Sequence, residues 1–154
     1  QKLYALFPEE IALLIRRDEN GVYTGGDTIR TKKISDMAER VRIAGKYPSA
    51  VIVSIHLNTF QNKSVHGCQV FYKENSDISK TLAESIQQNI NQFLQPETPK
   101  AIKPIPGSLY LFKKTDNPAL LIECGFLTNE RDLENLKDDA YQKKLAQIIY
   151  DAVK

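Results

Sequence analysis

The chain is poor in the residues that most often hold metals or form covalent intermediates. Its 154 residues include only two histidines, His56 and His66, and two cysteines, Cys68 and Cys124. The cysteines lack a CxxC spacing, which argues against a cysteine-built metal site. Both fall in strand-like runs, where a free cysteine usually acts as a small buried hydrophobe. Whether they pair depends on a Cα separation that sequence does not fix. No run is long and apolar enough to cross a bilayer. No charged leader followed by an apolar core opens the chain. A net charge of +2 is too mild for a nucleic-acid partner, which would need a concentrated basic patch. Repeats, low-complexity tracts and linkers are also missing, so one domain is expected.

With 42% hydrophobic and 26% charged residues, the composition suits a globular core. Two apolar runs end in polar groups able to do chemistry. One is Val51-Ile52-Val53-Ser54-Ile55-His56-Leu57-Asn58, and the other is Ala119-Leu120-Leu121-Ile122-Glu123-Cys124-Gly125-Phe126-Leu127-Thr128-Asn129. Each reads as a strand covered on both faces. Sites in open α/β sheets form at the carboxyl ends of such strands. An imidazole and a carboxylate meeting there suggest a metal ligand and a general base.

Residues 1–7 read as the last turns of a helix stopped by Pro8. Residues 11–15 read as a strand and 18–28 as a glycine-containing loop. A helix over 31–44 would turn Ile34, Met37, Ala38, Val41 and Ala44 inward. After the 51–55 strand and a polar loop, Cys68, Val70 and Tyr72 alternate as a strand. Ser76 or Asp77 caps a helix to about residue 94, with Ile78, Leu82, Ile86, Ile90, Phe93 and Leu94 as its stripe. A proline-rich loop over 95–107 leads to a short strand over 109–112, with Asn117-Pro118 as the break before the next strand. Thr128 or Asn129 caps a following helix. A last helix over 140–153 faces Tyr141, Leu145, Ile148, Ile149 and Ala152 inward. Alternating strands and helices predict a single α/β domain, with a mostly parallel twisted sheet and helices on both faces.

The strand ending Ser54-Ile55-His56-Leu57-Asn58 and the block Ile122-Glu123-Cys124-Gly125-Phe126-Leu127-Thr128-Asn129 resemble two signatures of the zinc-dependent N-acetylmuramoyl-L-alanine amidases, the type 3 peptidoglycan amidases of bacteria and phages. Ile29-Arg30-Thr31-Lys32-Lys33-Ile34-Ser35-Asp36-Met37, with Arg40-Val41, resembles the germination-specific branch that matures the spore cortex. The resemblance implies zinc (Zn2+, one per complete site) held by a His, a Glu and a second His, with a further Glu in catalysis. His56 matches the second His and Glu123 the catalytic Glu. The Gly-His-Gly-Gly motif of the first His and the Glu ligand of the first helix have no match here. The expectation is therefore an amidase catalytic domain over 1–154, N-terminally incomplete, without its first strand and most of its first helix. Alone, such a chain would be inactive.

The resemblance further implies hydrolysis of the amide between N-acetylmuramic acid and L-alanine, in the cell wall or spore envelope and outside the cytoplasm. The partner is peptidoglycan. An accessory or activating protein and an oligomer formed by N-terminal segment exchange are compatible with the missing part. Asn58 and Asn129 are candidates for substrate contact, as are Phe60 and the cations Lys32, Lys33 and Arg40. Solvated charge is the commoner role for such cations. His66 opens a strand and matches no family ligand. One rival is a metal-free wall-binding or regulatory module with the amidase fold. The other is a thiol hydrolase using Cys124 and His66, which the alternation of strand side chains disfavours.

Overall fold

The computed structural model describes residues 1–154 apart from 9–11, 17, 19, 95 and 96. After a short 3-10 turn, Tyr4–Leu6, the elements run α1 (Ile29–Gly45), β1 (Ile52–Asn58), β2 (Gln69–Tyr72), α2 (Asp77–Phe93), β3 (Lys103–Pro104), α3 (Tyr110–Lys114), β4 (Ala119–Phe126), α4 (Glu130–Lys137) and α5 (Asp139–Val153). The strands form one sheet in the order β1-β4-β2-β3. β1 with β4 and β2 with β3 are parallel, while β2 with β4 is antiparallel. This is the expected α/β arrangement with a mostly parallel sheet.

β4 is the centre of the molecule, and every one of its residues except Glu123 is buried. Its alternating side chains feed two cores. On one face, Leu120, Ile122 and Cys124 join Cys68 and Val70 of the β2 region, Ile86 and Ile90 of α2, and Leu145, Ile148 and Ile149 of α5. On the other, Ala119 and Leu121 meet Ile105 and Phe112.

Several buried polar side chains serve the sheet's backbone. Ser79 of α2 is fully buried, and its hydroxyl accepts the Ala119 N–H at 2.9 Å. Gln87 Oε1 accepts the Val70 N–H at 2.8 Å. Asp132 Oδ2 accepts the N–H groups of Gly67 at 2.7 Å and Phe126 at 2.8 Å, tying the start of β2 to the end of β4. A side chain at Gly125 would crowd this clamp, since a Cβ there would lie 3.1 Å from Asp132 Oδ2 and φ is +157°.

The structure corrects four expectations. Residues 12–15 adopt no strand, because they pair with none of the four strands of the sheet; Ile11 lies outside the described residues. The expected helix over 1–7 is only the 3-10 turn, cut short before Pro8. Residues 109–112 begin a helix, not a strand. A four-residue apolar run fits either, and here helical turns put Phe112 into the second core. The β1 strand is not covered on both faces. Among the described residues it lies at the edge of the sheet, and Ile55 and Leu57 are about half exposed at 48% and 50%.

The inward faces of α1 and α2 also differ from the apolar stripes. On α1, Ile34 is exposed and Asp36 is buried. Asp36 accepts the Val22 N–H at 2.7 Å and Arg40 Nε at 2.6 Å. Burial alone would raise the Asp36 carboxyl, but these bonds and the nearby Arg40 and Arg16 charges hold it below its usual value. On α2, Ile78 and Phe93 are exposed, while Ser79, Ala83 and Gln87 turn in beside Ile86 and Ile90.

Replacing Asp132 by Ala strands two backbone N–H groups. The Asp132→Ala protein should lose about 2–4 kcal/mol of unfolding free energy, and Ser79→Ala about 1–2 kcal/mol, in urea titrations. Unchanged midpoints would refute the clamp.

Candidate active site

β1 and β4 run parallel in the register Ile52↔Ala119 through His56↔Glu123. Register partners in neighbouring strands project to the same face, so His56 and Glu123 stand side by side at the carboxyl-terminal half of both strands. The register shifts between His56 and Asn58, so the ladder changes just beyond the pair. On the other flank of β4, Gln69 of β2 is the register partner of Glu123.

The two groups occupy unlike surroundings. His56 is exposed, and Glu123 is half-buried. Glu123 Oε2 is buried and has no hydrogen-bond partner among the described residues. Gln69 does not supply one, because its Nε2 donates instead to Ala101 O at 2.7 Å and Val70 O at 3.2 Å. Burial lifts the Glu123 carboxyl above its ordinary 4.5, and His56 opposes that rise. A carboxyl with a raised pKa and a free lone pair is suited to take and return a proton. His56 Nε2 lies 3.0 Å from Ser54 Oγ. Ser54 and Gln69 escape sequence reasoning; the i, i+2 spacing of Ser54 and His56 on one strand is the only signal for the former.

The flanking candidates divide. Asn58 Oδ1 accepts the Thr59 N–H at 2.8 Å, close to the register shift. Asn129 Oδ1 accepts the Asp132 N–H at 3.0 Å and Nδ2 donates to Lys63 O at 2.8 Å, so its amide caps α4 and ties down the 58–66 loop. Phe60 is exposed, its N–H bonded to Thr128 Oγ1 at 3.1 Å. Lys32, Lys33 and Arg40 line a separate shallow cavity of about 240 Å³ with Arg16, Tyr23 and Asp36. Cys124 is buried, and burial together with Glu123 pushes its thiol up to about 12. That is the opposite of an activated nucleophile, so the thiol-hydrolase reading fails.

A hydrolytic zinc centre takes three protein ligands and one open position. No group of three His, Cys, Asp or Glu side chains is arranged to hold a metal among the described residues. His56 suits one ligand position, and the orphaned Glu123 oxygen suits a base beside it. The full ligand set is not met by the described residues.

Comparison with known proteins defines the class. The family described as N-acetylmuramoyl-L-alanine amidase matches residues 9–154, and the chain belongs to that family. Within it, the germination-specific N-acetylmuramoyl-L-alanine amidase of Bacillus subtilis (strain 168) is 33% identical over 122 residues, covering 79% of this chain and 51% of that protein. The amidase LytC of the same organism is 32% identical over 117 residues, covering 75% of this chain and 23% of LytC. The chain thus spans about half the length of the first relative and less of the second. Among solved structures, the CwlD amidase from Clostridioides difficile, in complex with the GerS lipoprotein, superposes with a TM-score of 0.90 at 33% identity, covering 99% of this chain and 79% of that one.

The raised Glu123 pKa has a consequence for stability. Between its ordinary 4.5 and the higher folded value, the folded chain holds this proton more than the unfolded chain does. Stability from this group is therefore present below 4.5 and lost as pH rises through the folded value. Glu123→Gln should gain stability relative to the parent as pH climbs from about 4 to about 7. Urea unfolding of the metal-free proteins across that range checks it, and a pH-independent difference would contradict it.

Proposed function

We propose that residues 1–154 belong to the catalytic domain of a peptidoglycan amidase that hydrolyses the bond between N-acetylmuramic acid and L-alanine, with a role in spore cortex maturation or germination. The single observation that carries this reading is the buried, unpartnered oxygen of Glu123 in register with His56. Family membership and the likeness to a germination-specific relative support it.

An amide is a weak electrophile and water a weak nucleophile. Glu123 would take a proton from the attacking water and hand it to the departing L-alanine amine. His56 would offer a ring nitrogen as one zinc ligand, with its other nitrogen oriented by a hydrogen-bond partner such as Ser54. Zinc, when bound, lowers the pKa of water and polarises the carbonyl. Asn58 would contact the substrate at the tip of β1, while Asn129 would shape the same rim through the loop it holds. The setting would be the cell wall or spore envelope. That CwlD was solved with the GerS lipoprotein supports an accessory protein as partner here too.

A metal-free wall-binding module with this fold is the second reading, and the incomplete ligand set among the described residues favours it. Against it stands Glu123, whose unpaired buried oxygen costs stability and has no use in a binding module. Muropeptide turnover together with zinc content by mass spectrometry separates the two. Protein that supplies the remaining zinc ligands beside His56 should release L-alanine-terminated peptide and carry zinc. Glu123→Gln should keep the zinc and lose about 10²- to 10⁴-fold in rate, and His56→Ala should lose both. Normal turnover by Glu123→Gln would exclude the assignment; binding of muropeptide with neither zinc nor turnover would establish the module.

A further inference from the structure

We propose that Cys68 and Cys124 are a modification site, joined by an intrachain disulfide across β2 and β4 when the protein folds in oxidising surroundings. The inference comes from strand register and does not depend on the amidase reading.

β2 and β4 pair in the order Gln69↔Glu123, Val70↔Ile122, Phe71↔Leu121 and Tyr72↔Leu120. Carried one step past its last pair, the same ladder would set Cys68 opposite Cys124. The Asp132 clamp holds the two strands together one residue beyond that step, at Gly67, and two residues beyond it, at Phe126. Antiparallel partners alternate between hydrogen-bonded and non-hydrogen-bonded pairs. The Lys73 N–H donates to Ala119 O, so positions 73, 71 and 69 are of the bonded kind. The Val70 N–H turns away to Gln87, and Tyr72 O turns away to the Ile105 N–H. Positions 72, 70 and 68 are therefore of the non-bonded kind. Such pairs bring opposing Cα atoms to about 4.5 Å with side chains close, inside the roughly 4.4–6.8 Å span of disulfides.

The side chains also share a face. Cys68, Val70, Ile122 and Cys124 all lie in the same core, and both thiols are free and buried. The Cys124 thiol is close enough to contribute to the raised pKa of Cys68, after burial itself. High pKa values leave little thiolate in the folded chain. The bond would then form during folding and afterwards be shielded from reductants.

The chemistry needs an acceptor, and a protein or small-molecule disulfide suffices. One thiolate attacks the acceptor's S–S bond and releases one acceptor thiol. The second cysteine displaces the other, so that one S–S bond breaks, one forms, and both cysteine protons leave. The product would brace β4 at the residue after Glu123.

The test is secretion of the protein into a bacterial periplasm, with free thiols trapped by iodoacetamide in denaturant without reductant. The expected result is an intact mass two hydrogens below the dithiol, unlabelled Cys68 and Cys124, and a linked peptide containing both. Reduction should lower the melting temperature by about 5–10 °C. A Cys68→Ala/Cys124→Ala protein should show no response to reductant. Carbamidomethylation of both cysteines in the secreted parent, or links only between chains, would overturn the proposal.

Discussion

The parallel pairing of β1 with β4 is the constraint on which the site depends. It alone sets an imidazole and a carboxylate, 67 positions apart in sequence, side by side on one face. A slip of one residue would send one of them to the opposite face. The register is set upstream of the pair. Asn117 is buried, and its Nδ2 donates to Tyr47 O at 2.7 Å and Ala50 O at 3.0 Å. That bond pins the residues before β4 to those before β1. The Ile52 N–H then donates to Pro118 O at 2.8 Å, and the ladder proceeds from there. Beyond the site, the Leu127 N–H reaches Asn58 O at 2.8 Å, closing the pair of strands from the far end.

Asn117, Ser79, Gln87 and Asp132 follow one rule. Each is a buried polar side chain that makes at least one hydrogen bond to a backbone group near the sheet. Buried polar groups are ordinarily satisfied in this way. Glu123 breaks the rule, with one oxygen buried and unpartnered at the most enclosed strand of the sheet. A fold this consistent elsewhere concentrates its exception where chemistry is expected. The neighbour that could have silenced it, Gln69, is drawn off by the Ala101 carbonyl.

Sequence patterns were enough for β1, β2, β4, α2, α4 and α5, because each combines strong periodicity with a clear cap or break. They also marked His56 and Glu123, since each interrupts an apolar run. They failed where tertiary context decides. Residues 12–15 are as apolar as a strand, yet a strand requires a partner edge. Leu109 to Phe112 could not be told from a helical turn. Asp36, Ser79 and Gln87 look solvent-facing by residue type, but their burial follows from the backbone and arginine partners they meet only in the fold. Gln69 is illegible for the same reason: its relation to the site comes from register, not composition.

The asymmetry of the pair shapes its chemistry. Among the described residues β1 lies at the edge of the sheet and His56 is exposed, whereas β4 is central and Glu123 is partly withdrawn from solvent. Burial raises the carboxyl's proton affinity and positive charge at position 56 lowers it. The two act through different means, since desolvation penalises the ionised form wherever charge lies, while the Coulombic influence requires a cation nearby. A neutral imidazole leaves Glu123 a stronger base, and any cation gathered at the open edge weakens it. The sheet's topology thus determines both which group can be reached from solvent and how strongly the other holds its proton.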